Sequence, residues 1–329
     1  MLFEERVDRN AIRTLATLVA AGALATLAAC GGGTYQQQAF VPARILSFGD
    51  ESSRLEGPQG LKYSVNSISN AGGQIDCTAN PIWTQVVASS YGLVYANCNI
   101  DASFETSAID LTTVNATVAD VVQSVAAFQA GDTFNGNDLV TIWVGMHDIL
   151  DDYRSNATGD ESGLLADMRA QGQTLAGVVN AIAAAGGKVV LLTVPDMSES
   201  PFGYAESLRG DFDRLKLLSD MSTAFNLGLR THIINDGSQV ALVTVDDLVR
   251  FATRESGSAF VQFDDQSYGC LDTAPLPTCT IDTLRNDPTT GQPTQPTQPF
   301  LWADATHLGA SMQAQIGGTA SQRAHGNPF

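Results

Sequence analysis

The chain has 329 residues, of which 44% are apolar, so it is long enough and apolar enough to bury the core of one large domain. Its 35 acidic side chains outnumber its 17 Lys and Arg, which gives a net charge of −18 at neutral pH. Such a surface repels phosphate backbones and anionic headgroups, so the composition excludes nucleic-acid binding as the function.

The N-terminal segment, residues 1–29, is predicted to be an export signal rather than part of the fold. Arg6, Arg9 and Arg13 precede an apolar run over residues 15–29. The run is too short and too rich in Ala for a membrane-spanning helix.

The end of this run, Leu27-Ala28-Ala29-Cys30-Gly31, resembles a bacterial lipobox. The resemblance implies that Cys30 is diacylated and becomes the first residue of the mature protein. Residues 30–43 would then tether a domain of residues 44–329 to the cell envelope, expected to be the outer membrane, on its periplasmic or outer face. A plain secretory signal, with Cys30 present by chance, is the alternative interpretation.

The remaining cysteines are expected to form two disulfides, because an even number in an exported chain is typical of a disulfide framework. Four cysteines allow three pairings. The local pairing closes short loops and is favoured, namely Cys77–Cys98 and Cys270–Cys279. A metal site is a weaker alternative, since no Cys-x-x-Cys pair is present.

Strand and helix patterns alternate along the chain. Predicted strands cover residues 44–48, 93–96, 139–144, 188–194 and 240–245. Predicted helices cover residues 81–90, 117–130, 161–185, 211–234 and 306–317. Residues 255–300 have no regular pattern, and residues 282–299 are expected to form a surface loop. The alternation predicts an α/β fold of the flavodoxin-like kind, a three-layer α/β/α sandwich around a mostly parallel sheet.

Three short segments carry the candidate chemistry, and each is expected at the carboxyl end of a strand or in a loop that reaches it. They are Phe48-Gly49-Asp50-Glu51-Ser52, Val144-Gly145-Met146-His147-Asp148 and Asp304-Ala305-Thr306-His307. Their order and context resemble the GDSL, or SGNH, family of esterases and lipases over residues 44–321. The resemblance implies hydrolysis of a small carboxylic ester without a cofactor.

The resemblance also implies roles for individual residues. His307 would be the general base and Asp304 its orienting partner. The place of the nucleophilic serine holds Glu51, and the place of an oxyanion-stabilising asparagine holds His147. A shift of one residue would make Ser52 the nucleophile instead. In a purely structural interpretation, Asp304 caps a helix that begins at residue 306.

Two further features stay open at the level of sequence. A backbone N–H of the oxyanion hole is expected near residues 95–99, where the family has a glycine and this chain has none. A carboxylate and imidazole cluster can also hold Mn, Fe or Zn, and its candidate ligands here are Asp50, Glu51, His147, Asp148, Asp304 and His307.

Two functions are therefore compatible with the sequence. One is an SGNH-type ester hydrolase that is slow or inactive because Glu51 replaces the serine. The other is a catalytically silent relative that binds an acyl, glycan or protein ligand in the same cleft.

Overall fold

The computed structural model describes residues 39–69, 73–99, 104, 106–156, 161–234, 237–254, 264–286, 291 and 300–326. The proposed lipidation site, Cys30, lies outside the described residues. A compact unit spans Ala39–Phe329. Among the helices described in it, none combines the length and apolarity that crossing a membrane requires.

The strands of the described residues are numbered in chain order: β1 (Arg44–Gly49), β2 (Leu55–Glu56), β3 (Leu61–Lys62), β4 (Ser67–Ile68), β5 (Ile75–Asp76), β6 (Val94–Tyr95), β7 (Thr106–Asp110), β8 (Asp138–Trp143), β9 (Lys188–Leu192), β10 (Val240–Val243), β11 (Asp264–Tyr268) and β12 (Phe300–Trp302). Six of them form the central sheet in the order β10-β9-β8-β1-β7-β6. All neighbours in this sheet are parallel. Strand β1 is therefore central, with β8 on one side and β7 on the other.

The helices of the described residues are α1 (Trp83–Ser90), α2 (Val118–Gly131), α3 (Met146–Asn156), α4 (Glu161–Ala184), α5 (Pro201–Ser207), α6 (Arg214–His232), α7 (Val245–Arg254) and α8 (Ala310–Gly326). Alternate residues of each strand face opposite layers. Leu46 and Phe48 of β1 pack in one core with α2, α3, α4 and α6. Ile45 packs in a second core with α1, α7 and α8. The predicted three-layer α/β/α sandwich around a mostly parallel sheet is thus confirmed.

One sheet strand, β7, was not predicted from the sequence. Its segment is Thr106-Ser107-Ala108-Ile109-Asp110, and only Ala108 in it is fully buried. Ile109 is 41% exposed, so the strand lacks the continuous apolar run that marks β8 and β9. Parallel pairing with β1 holds the segment in the sheet.

The last helix is a second correction, because it begins at Ala310 and not at residue 306. The segment before it forms a tight turn instead. Asp304 accepts hydrogen bonds from the N–H groups of Thr306 and His307, and the N–H of Ala303 donates to the carbonyl of His307. Asp304 therefore closes a turn and does not cap the helix.

The predicted disulfide pairing is confirmed. Cys77–Cys98 joins positions whose Cα atoms are 5.4 Å apart, and Cys270–Cys279 joins positions 5.8 Å apart. The first bond attaches the loop after β5 to the segment that follows β6 on the edge of the sheet. The fully buried Lys62 supports the same loop, because its ammonium donates to the carbonyls of Cys77, Ala79 and Asn80.

Replacing both cysteines of the first bond (Cys77→Ser with Cys98→Ser) is expected to lower the free energy of unfolding by about 2–4 kcal/mol, since a cross-link restricts the unfolded chain. Urea unfolding followed by circular dichroism measures the change, and the pair Cys270→Ser with Cys279→Ser is the matched control. The shorter loop of the control predicts a smaller loss. An unchanged unfolding midpoint in the first variant contradicts the prediction.

Candidate active site

The first element of the site is the turn that follows β1. Gly49 has a φ of +136°, and a Cβ atom at this position would lie 1.9 Å from the carbonyl oxygen of Trp143. Any larger residue would separate β1 from β8 here. The next residue, Asp50, accepts a hydrogen bond of 2.9 Å from the N–H of Ser52 and so closes a short 3₁₀ helix, Glu51–Ser53. This turn places Glu51 at the carboxyl end of the central strand.

The second element is the start of α3, directly after β8. Gly145 has a φ of +124°, and a Cβ there would come within 2.4 Å of the Phe225 ring. His147 lies in the first turn of α3. Its neighbour Asp148 accepts a hydrogen bond of 3.0 Å from the N–H of Val118, which ties the start of α3 to that of α2. Burial raises the pKa of Asp148 to about 6.

The third element is the turn between β12 and α8. Here the Nδ1 atom of His307 lies 3.0 Å from both carboxylate oxygens of Asp304. Because the carboxylate only accepts, Nδ1 carries a proton and donates it to Asp304. The other ring nitrogen, Nε2, points toward Glu51.

The three elements meet at the carboxylate of Glu51. Its Oε1 atom is 2.7 Å from Nε2 of His147 and 3.0 Å from Nε2 of His307. Its Oε2 atom accepts a hydrogen bond of 2.7 Å from the N–H of Asn115. The Glu51 residue is only 2% exposed. Three donors from three separate segments thus converge on one buried carboxylate.

The charges of this cluster follow from its hydrogen bonds. Burial alone would raise the pKa of Glu51, but the hydrogen bonds from His147 and His307 outweigh it and hold that pKa well below its usual range. Burial would lower the pKa of His307, yet Asp304 and then Glu51 raise it to about 10. At neutral pH, His307 is therefore an imidazolium between two carboxylates.

The charge of Glu51 also shifts the pKa values of His147 and Asp50. The pKa of His147 is raised, because its hydrogen bond to Glu51 outweighs the effect of burial. The pKa of Asp50 is raised to about 7 by burial and by the adjacent charge of Glu51. A doubly protonated imidazole cannot accept a proton, so in this arrangement His307 is not yet a general base.

Ser52, the alternative nucleophile, makes its hydrogen bonds through its backbone. Its N–H donates to Asp50, and its carbonyl accepts from Nε2 of Gln313 at 3.3 Å. Within the described part of the chain, no imidazole nitrogen lies within hydrogen-bond distance of its hydroxyl. The cavity between Ser52 and Met146 measures about 10 Å³, which is room for about one water. The role of Ser52 as a nucleophile stays a prediction.

The backbone N–H that contacts the site is a correction to the sequence analysis. It belongs to Asn115 in the loop after β7, and not to residues 95–99. In that predicted region, the side-chain amide of Asn97 (Nδ2) donates to the carbonyls of Leu55 and Gly57 instead. Asn115 has a φ of +58°, in the left-handed region that Asn tolerates better than most residues. The sequence analysis expected the donor near residues 95–99. Strand β7 was not predicted, so the loop that follows it could not be placed beside the end of β1.

The same geometry does not provide a metal site within the described ranges. Among the residues that the structure describes, no group of three or more His, Cys, Asp or Glu side chains is arranged to hold a metal ion. The six suggested ligands are hydrogen-bonded to one another or to backbone N–H groups, as described above for Glu51, Asp148 and Asp304.

Comparison with known proteins gives similarity in structure but not in sequence. No protein-family model and no curated protein matches the sequence. Similar solved structures include an acetyl xylan esterase, AlAXEase, with a TM-score of 0.42 and 11% identity, covering 84% of this chain and 96% of that one. TesA gives a TM-score of 0.38 and 13% identity, with coverages of 85% and 97%.

A third similar structure is the protein YxiM from Bacillus subtilis, with a TM-score of 0.38 and 9% identity. The alignment covers 86% of this chain and 56% of YxiM. These likenesses are too distant to transfer an activity, so the function is inferred below from the geometry of the site.

We expect the imidazole of His307 to stay protonated through neutral pH and to titrate near pH 10, because two carboxylates hold its two N–H groups. NMR of a sample with ¹³C-labelled histidine measures this directly, and the exposed His325 is the internal control. In Glu51→Gln, the pKa of His307 is expected to fall, since one of the two charges is gone. Titration of His307 near its ordinary value of 6.5 in the native protein contradicts the prediction.

The same pKa shifts give a pH window of stability. A lowered pKa in Glu51 stabilises the folded state above its ordinary value of 4.5, and this contribution is lost as the pH falls. A raised pKa in His307 stabilises it below 6.5, and this contribution is lost as the pH rises toward 10. The difference in unfolding free energy between the native protein and His307→Gln is therefore expected to be largest between pH 4.5 and 6.5.

Proposed function

We propose that the protein is a lipid-anchored, GDSL-type hydrolase of carboxylic esters whose native turnover is feeble or lost, because Glu51 fills the place of the nucleophile. One observation carries this proposal: Nε2 of His307 lies 3.0 Å from Oε1 of Glu51, at the position that the resemblance gives to a serine hydroxyl. Attack of a carboxylate on an ester would give an anhydride, which is an unfavourable route to hydrolysis.

The rest of the arrangement suits acyl transfer. Asp304 orients His307 through Nδ1, as the acidic member of a catalytic triad does. The N–H of Asn115 and the imidazole of His147 both point at the carboxylate oxygens. Donors in such positions would stabilise a tetrahedral oxyanion if the carboxylate were absent.

Restoring the serine tests the proposal. Glu51→Ser is expected to hydrolyse p-nitrophenyl acetate faster than the native protein, because a hydroxyl replaces the carboxylate that, after Asp304, raises the pKa of His307. Serine is two carbon atoms shorter, so His307 must move toward it and the gain will be partial, at least about tenfold where a general base can supply 10²–10⁴. Glu51→Ala is the matched control that lacks the hydroxyl, and adding His307→Gln to Glu51→Ser is expected to remove the gain.

The competing assignment gives the opposite result. If Ser52 is the nucleophile, the native protein is already strongly active and Ser52→Ala abolishes turnover. A fluorophosphonate probe followed by peptide mapping identifies the residue that reacts.

A catalytically silent binding protein is the second candidate. The three hydrogen bonds that Glu51 accepts favour it, because they occupy the Nε2 atoms of both histidines. Such a protein would bind an acyl, glycan or protein ligand at the cell envelope. Absence of hydrolysis in every variant, with the folded state intact, would favour this candidate.

The anchoring part of the proposal rests on the lipobox-like end of the leader, Leu27-Ala28-Ala29-Cys30-Gly31. In the native bacterium, an alkyne fatty-acid analogue is expected to label the wild-type protein and not Cys30→Ala. The variant with Cys270→Ala and Cys279→Ala keeps Cys30 and should still be labelled. Labelling that persists in Cys30→Ala would refute lipidation at this residue and remove the basis for an envelope location.

A further inference from the structure

The carboxylate of Glu51 suits a different electrophile from an ester. When a carboxylate attacks a saturated carbon, it forms an ester, and an ester can be hydrolysed by water. The residues needed for that second step are already in contact with Glu51, namely His307 and, behind it, Asp304. We propose that Glu51 is a nucleophile toward small epoxides, forming a glycol ester that water hydrolyses with His307 as the base. This activity goes beyond the ester hydrolysis proposed above and does not depend on it.

The geometry leaves one position of the carboxylate open for attack. An ionised carboxylate has about four acceptor positions, two on each oxygen. Oε1 accepts from His147 and His307, whereas Oε2 accepts only from Asn115 among the described residues. The remaining lone pair of Oε2 is therefore available to attack carbon.

The ring-opening step balances with the groups present. Oε2 of Glu51 forms a bond to an epoxide carbon, and the bond from that carbon to the ring oxygen breaks. The ring oxygen takes the Nε2 proton of His307, which becomes neutral. The products of this step are a hydroxyalkyl ester of Glu51 and a neutral imidazole whose Nδ1–H still donates to Asp304.

The second step returns the site to its starting state. Neutral His307 accepts a proton from a water molecule, whose oxygen attacks the carboxyl carbon of Glu51. Oε1, now the carbonyl oxygen, becomes an oxyanion within reach of the His147 N–H, 2.7 Å away in the present structure. The bond to the glycol oxygen then breaks, and the diol leaves with one proton. Glu51 is again a carboxylate and His307 an imidazolium, so the net reaction is epoxide plus water to vicinal diol.

The charges support this sequence of events. In the resting site, the negative charge of Glu51 is one of the causes that raise the pKa of His307 to about 10. Alkylation removes that charge while the hydrogen bond to Asp304 remains. His307 would therefore be a poor base before alkylation and a better one afterwards, when the base is needed.

The packing restricts the size of the substrate. Glu51 is 2% exposed, so only a small electrophile could reach its carboxylate. The half-buried Tyr63 stands beside His307, with ring centroids 6.1 Å apart. These limits favour short terminal epoxides, for which 1,2-epoxypropane is a suitable probe.

The experiment incubates the native protein with 1,2-epoxypropane in H₂¹⁸O. We expect formation of propane-1,2-diol and incorporation of ¹⁸O into the Glu51 carboxylate, with fragment spectra separating Glu51 from Asp50. His307→Gln removes the base, so we expect it to lose turnover and to accumulate one epoxide adduct on Glu51, more slowly than the native protein opens the ring, because water must supply the proton that His307 gives. Glu51→Gln is expected to form neither the diol nor the adduct. Glu56→Gln, which removes a nearby surface carboxylate, is the matched control and should behave like the native protein.

Two results would overturn the proposal. One is the absence of both label and adduct on Glu51 while thermal unfolding shows that the native protein and His307→Gln are folded. The other is equal diol formation by Glu51→Gln. If Glu51→Gln does not fold, the isotope label in the native protein and the adduct in His307→Gln decide the matter. Neither the isotope label nor the adduct depends on ester turnover by Glu51→Ser. Failure of the epoxide proposal can therefore be told apart from failure of the proposed ester hydrolase.

Discussion

Hydrogen bonds to the buried carboxylate of Glu51 hold the segments of the site together. It accepts hydrogen bonds from the start of α3 through His147, from the turn before α8 through His307, and from the loop after β7 through Asn115. A buried carboxylate without such donors would be too costly to keep ionised. Its burial therefore requires that all three segments take up their observed positions around the end of β1.

The same carboxylate determines the chemistry of its neighbours. Together with Asp304, it keeps His307 protonated on both ring nitrogens. A serine at this position would leave His307 with one carboxylate partner and a lower pKa, as a general base requires. The side chain next to Asp50 thus helps to raise the pKa of a histidine that lies 256 positions away in the chain.

Much of the fold followed from local patterns. The apolar runs of β8 and β9 and the periodic helices α2, α4 and α6 were predicted because strands buried on both faces and amphipathic helices have distinctive patterns. Strand β7 was missed because pairing with β1, and not its own apolar content, holds it in the sheet. The start of α8 was misplaced because the side chain of Asp304 organises a turn that helical periodicity does not reveal.

The sequence by itself determined the α/β class and the identity of the motif residues Glu51, His147, Asp304 and His307, and it favoured the local disulfide pairing that the structure shows. These depend on composition, on residue type and on spacing along the chain. Only the tertiary structure decided that Asn115 supplies the backbone donor and that both imidazoles share one carboxylate oxygen. Such contacts join residues far apart in the chain, so their distances and the resulting pKa shifts arise only when the parallel strands bring their carboxyl ends together.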